Sequence, residues 1–116
     1  MTVDNFEIFT LPSGLQCVVR SFDGPCYCQL SINAGSRDDF AGYDGLAHFV
    51  EHTVFRGTER RSGWQINSRA EDVGGAFNAY TSREATVYSA ITPTGQLPRA
   101  LALLADIVGH PSFPAV

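Results

Sequence analysis

Near the amino end, apolar and polar positions alternate with a period of two. Phe6–Thr10 alternates and is rich in β-prone residues, and Pro12-Ser13-Gly14 after it is a turn signal. Over 15–20, Leu15, Cys17 and Val19 fall on one side and Gln16, Val18 and Arg20 on the other, which predicts a second strand. Asp23-Gly24-Pro25 interrupts the pattern. Residues 27–34 then set Cys28, Leu30, Ile32 and Ala34 on one face of a third strand, and 35–44, rich in Gly and Asp, reads as a loop.

From Gly45 the period lengthens to that of a helix. Asp44 is the expected N-cap and Gly57 the expected stop, with Leu46, Phe49, Val50 and Phe55 as the stripe that should pack on the sheet. Ser62-x-x-Gln65 is a capping-box pattern, opening a second helix that runs to Val73 and closes at Gly74. Period two then returns: 76–81 and 85–91 flank a turn at Ser82-Arg83-Glu84 and predict a hairpin. Leu97-Pro98 opens a last helix, with Leu97, Leu101, Leu104 and Val108 at helical spacing and Gly109 at its end.

The chain has 116 residues, one domain or part of one, and its hydrophobic share of 44% is ordinary for a globular protein. No apolar run is long enough to span a bilayer. A net charge of −4 leaves no basic footprint for nucleic acid or an anionic membrane, so neither is an expected partner. All eight basic residues are Arg, which excludes lysine-based covalent chemistry. Residues 1–11 lack the charged start and apolar core of a signal peptide. Cys17, Cys26 and Cys28 are odd in number, and the one-residue spacing of the last two is too short for a zinc-type pair. Cys17 and Cys28 read as strand-core cysteines, in a reducing, cytoplasmic compartment.

One stretch carries chemistry. In Gly45-Leu46-Ala47-His48-Phe49-Val50-Glu51-His52, helical geometry stacks His48, Glu51 and His52 on one face as i, i+3 and i+4 neighbours. Two imidazoles one turn apart can hold a Zn2+, and a carboxylate beside them can take the proton of water that the ion has acidified. The bland alternative is a polar helix face. Glu71 and Asp72 read as a solvated helix end, and His110 as a complement to the helix dipole rather than a ligand.

Five blocks occur in an order that resembles a known family: Thr10-Leu11-Pro12-Ser13-Gly14-Leu15, Asn33-Ala34-Gly35-Ser36-Arg37-Asp38, the His48-x-x-Glu51-His52 stretch, Phe55-Arg56-Gly57-Thr58, and the run from Gly74-Gly75 to Arg83-Glu84. Together they resemble the N-terminal part of a pitrilysin-type (inverzincin) zinc peptidase. The resemblance implies an α+β fold, an antiparallel sheet with helices packed on one side. It implies zinc ligation by His48 and His52, general-base catalysis by Glu51, and substrate binding along Asn78, Ala79 and Tyr80. Asn78 and Tyr80 are expected to face the site, with Phe77 packed inward.

The family's third zinc ligand is a glutamate on a helix that follows the one ending here at Gly109, and none of Glu59, Glu71, Asp72, Glu84 or Asp106 matches it. Residues 1–116 are therefore expected to be the N-terminal portion of a zinc metalloendopeptidase domain, cut before that helix and inactive alone. Its expected partners are a peptide substrate and either the rest of the polypeptide or a partner half-subunit, and the isolated segment is expected to self-associate through uncovered strands. The alternative is a non-catalytic family member acting as a scaffold, which the intact His/Glu motif disfavours.

Overall fold

The computed structural model describes residues 2–3, 5–21 and 23–115. Among these residues are two antiparallel three-stranded sheets and three α-helices. The first sheet pairs β1 (Thr2–Val3), β2 (Phe6–Thr10) and β3 (Gln16–Val19) in that order. The second runs in the order β4 (Cys26–Ile32), β6 (Thr86–Thr92), β5 (Ala76–Thr81), so β6 is central and β5 lies at an edge. The helices are α1 (Leu46–Thr53), α2 (Gly63–Val73) and α3 (Leu97–Gly109). The architecture is α+β, with the expected single sheet divided in two. No helix of the described residues is long and apolar enough to cross a membrane.

The second sheet builds the core. Its register stacks Cys28, Ala90 and Phe77 in one rung, Leu30, Tyr88 and Ala79 in the next, and Ile32, Thr86 and Thr81 in the last. These rungs share a face, and Cys28, Tyr88 and Ala90 bury there with Val54, Ile66, Val73, Ala100, Leu103, Leu104 and Ile107. Cys28 is a core cysteine as expected, its thiol pKa pushed up chiefly by burial. Cys26 and Cys17 are only partly buried, the latter in a sheet whose apolar residues Phe6, Phe9, Val18 and Val19 are exposed.

Four local expectations change. Gly45, not Asp44, is the N-cap of α1, with φ 90° and no side-chain cap. Asp39 does the capping instead: its carboxylate accepts from the Gly45 N–H at 2.9 Å and the Ala47 N–H at 2.8 Å. The helix passes into a 3-10 turn, Val54–Arg56, and Gly57 follows in extended backbone rather than as a left-handed stop. The buried side of this segment is Glu51 and Val54, flanked by Ala47 and Phe55, whereas Phe49 is 64% exposed and Val50 37%. Likewise α3 buries Ala100, Leu103, Leu104 and Ile107 and leaves Leu101 exposed. Its sequence is apolar nearly all round, so spacing alone does not choose the inward stripe.

Other signals act where they were read. Ser62 Oγ accepts from the Gln65 N–H and Gln65 Oε1 from the Ser62 N–H, closing the capping box, and Gly74 ends α2 at φ 73°. Gly35 sits where the loop meets the β5–β6 turn, and a Cβ there would lie 2.4 Å from the Ser82 carbonyl oxygen. The neighbouring Ser36 and Arg37 N–H groups donate to the Ser82 and Arg83 carbonyls, both at 3.0 Å.

A buried polar lock ties the stretch after α1 to α3. Asp106 Oδ2 accepts from the Thr58 hydroxyl and from Arg61 Nη1, each at 2.7 Å, while Thr58 Oγ1 accepts the Arg61 N–H. Burial works to raise the Asp106 pKa, but the Thr58 and Arg61 hydrogen bonds and the charges of Arg61 and Arg60 outweigh it, and the net shift is downward. A folded-state pKa below the unfolded one stabilises fully above the ordinary carboxylate range of about 4, and that contribution disappears as pH falls through the lowered value. Urea titrations of the parent should therefore lose stability below about pH 4, the ordinary range of the unfolded carboxyl. Asp106→Asn should be less stable at pH 7 and show a shallower acid loss. Equal slopes for the two proteins would show that the lock does not carry this term.

Candidate metal centre

Three elements position the centre. α1 places His48 and His52 one turn apart on its exposed side and Glu51 beneath them on its buried side. Asp39 fixes the start of that helix, and β5 lies against it. His48 Nε2 and His52 Nε2 converge to 2.9 Å, and Glu51 Oε2 is 3.9 Å from His48 Nε2. Among the described residues these three form the one group whose ligand atoms converge, all within 4.8 Å of one another.

The donor set fits Zn2+. Two ring nitrogens this close need either a shared proton or a shared cation between them, and imidazole is a preferred zinc ligand. Nitrogens bound tetrahedrally to one Zn2+ stand about 3.3 Å apart, which small rotations of the exposed rings supply. The Glu51 oxygen lies beyond that edge length, which suits it to accept a proton rather than to ligate.

Glu51 is 7% exposed, and a carboxylate so buried needs a partner. Thr81 provides it: the hydroxyl donates to Glu51 Oε2 at 2.6 Å. Tyr88 is buried nearby, its phenol pKa pushed up first by burial and then by the Glu51 charge, so it stays protonated and neutral. Neither residue was picked out from sequence. The available signal was alternation along β5, which puts Thr81 on the inward face with Phe77 and Ala79.

The other site residues expected from the resemblance lie on the same strand. Phe77 and Ala79 pack against the core as expected for the former, but Asn78 and Tyr80 are exposed on the opposite face of the sheet from Thr81 and the motif. Asn78 Oδ1 accepts the neighbouring Ala79 N–H at 2.9 Å. Both side chains point away from Glu51 because strand residues alternate and Thr81 takes the inward position. Of the carboxylates after His52, Glu59, Glu71, Asp72 and Glu84 are exposed and Asp106 is engaged by Arg61. His110 caps α3. A cleft of about 440 Å³ lined by Arg60, Trp64 and Arg69 includes none of the three motif residues.

The model of the family described as Insulinase (Peptidase family M16) matches residues 19–115. The chain belongs to peptidase family M16. It is 38% identical over 114 residues to an uncharacterised zinc protease of Rickettsia bellii, covering 95% of this chain and 27% of that protein. It is 42% identical over 111 residues to the human mitochondrial-processing peptidase subunit beta, covering 93% of this chain and 22% of that one. Among solved structures, a protease from Helicobacter pylori superposes with a TM-score of 0.85 at 30% identity, over 92% of this chain and 26% of the other. The chain thus spans about a quarter of the length of these relatives. The pitrilysin fold is likewise shared, at a TM-score of 0.82.

Zinc uptake by this M16 chain should depend on both imidazoles. His48→Ala and His52→Ala should each weaken Zn2+ binding by more than ~10-fold, since even outer partners of metal ligands are worth that much. Glu51→Gln should leave it nearly unchanged. Competition against a chromophoric chelator measures all three, and zinc affinity retained in His48→Ala would remove that residue from the ligand set.

Proposed function

We propose that this chain is the zinc-binding catalytic segment of a metalloendopeptidase that hydrolyses peptides or unfolded polypeptides. The observation that carries the reading is the convergence of two imidazole nitrogens beside a buried, hydrogen-bonded carboxylate. A bound Zn2+ would acidify water and polarise a peptide carbonyl. His48 and His52 hold the ion, and Glu51 accepts the proton of the attacking water and returns it to the leaving amine. Catalytic zinc normally has three protein ligands. The third is proposed to come from a further part of the same polypeptide or from a partner subunit, in keeping with a relative named as one subunit of a peptidase.

The substrate is proposed to lie along β5. An edge strand offers main-chain donors and acceptors independent of substrate sequence, which suits a peptidase with many substrates. Asn78, Ala79 and Tyr80 are then contacts along that edge rather than groups that face the zinc. A scaffold role is the weaker reading, because a scaffold has no need of a buried carboxylate held beside paired imidazoles.

In the full-length protein, Glu51→Gln should retain zinc and lose at least ~10²-fold in kcat, the usual scale for removing a general base. Peptide cleavage at the parent rate would dismiss the mechanism. Asn78→Ala should lower kcat/KM for peptides without changing metal content or unfolding midpoint. If it left kcat/KM untouched, the Asn78 side chain would take no part in holding substrate.

A further inference from the structure

We infer that Thr81 is a positioning residue for the reaction, and that β5 sets the distance between substrate and base. The inference rests on the proposed peptidase reading and adds to it a residue that no motif singled out. Three observations converge. The Thr81 hydroxyl donates to Glu51 Oε2 at 2.6 Å, and among the described residues no other hydrogen bond reaches that carboxylate. Glu51 is buried while both histidines are exposed, so water gives the carboxylate little alternative support. Thr81 ends the strand whose inward residues Phe77 and Ala79 are packed against the core, which holds its Cα in place.

The consequence is geometric. A Glu side chain has three rotatable bonds, and burial alone does not choose which oxygen faces the paired imidazoles. The Thr81 hydroxyl ties Oε2, which orients the whole carboxylate plane beside His48. The strand that supplies this hydroxyl is also the one whose edge is proposed to hold the substrate backbone. Base and scissile bond are then both referred to one rigid element, and a misplacement of about 1 Å in such a pair can cost ~10²-fold. The Thr81 hydroxyl neither gains nor loses a proton in the reaction. Its role is orientation.

The test is made in the full-length, zinc-loaded protein, with Glu51→Gln alongside. Thr81→Val keeps the shape and removes the donor. It should lower kcat ~10- to 100-fold, the range expected for a displaced base, with KM and zinc content near the parent's and a lowered unfolding midpoint, since Glu51 loses its buried partner. Thr81→Ser restores the hydroxyl and should recover kcat to within ~3-fold of the parent, the residue of its lost methyl contact. A crystal structure of Thr81→Val in its zinc-free form should show the Glu51 carboxylate turned away from His48. If the Val variant fails to fold, Ser against Ala decides: the inference requires Ser to be much the more active. Parent-like kcat in Thr81→Val, with Glu51→Gln inactive, would overturn the inference and leave the peptidase reading standing. An active Glu51→Gln would overturn both.

Discussion

A buried carboxylate on the inward side of a helix is costly, and the architecture around Glu51 is arranged to tolerate it. Glu51 occupies the side of α1 that packs inward, where an apolar residue would ordinarily sit. Left without a partner, a carboxylate so buried would be strongly destabilising. One hydroxyl from β5 meets it directly, and that contact makes the relation between helix and strand specific. Packing alone would allow α1 to slide or rotate on the sheet. A short hydrogen bond to a buried charge does not.

The surrounding polar contacts hold the same two elements from their ends. Asp39 binds the first amides of α1 from a loop whose next anchor is the β5–β6 turn, reached through Gly35 and the amides of Ser36 and Arg37. Past α1, the Thr58–Arg61–Asp106 lock pins the following segment to α3, which lies on the sheet's inner face. The histidines are thus exposed side chains on a helix fixed at both ends. Exposure lets the rings adjust to an ion; fixation keeps their nitrogens converged.

Much of this was legible in the residues. The hairpin, the capping box of α2, its glycine stop and the stacking of His48, Glu51 and His52 all follow from contacts within a few positions, where spacing in sequence is spacing in space. Hydrophobicity mispredicts the inward face of α1, because Phe49 and Val50 are more apolar than Glu51. That inference holds for a helix with no chemical task. Here the inward face carries the proposed base, so the rule fails at the candidate site. The α3 stripe holds at Leu97, Leu104 and Val108 and fails at Leu101 alone, for a simpler reason: Leu101 and Leu103 are equivalent to any hydrophobicity scale, and only the sheet beneath distinguishes them.

The sequence by itself determined the chemistry: two imidazoles and a carboxylate on one turn of one helix, in a chain of peptidase family M16. It determined that β5 presents two faces, since alternation is a property of the backbone. The tertiary structure alone decided which face meets the helix, and therefore that Thr81 rather than Asn78 or Tyr80 touches Glu51. It also decided that Asp39 caps α1 and that Asp106 is held by Arg61 instead of standing free as a ligand. The physical reason is separation: Thr81 is 30 residues from Glu51, and Asp106 is 45 from Arg61. Local propensity carries no information across such distances, which only the packing of the sheet against its helices brings to bonding range.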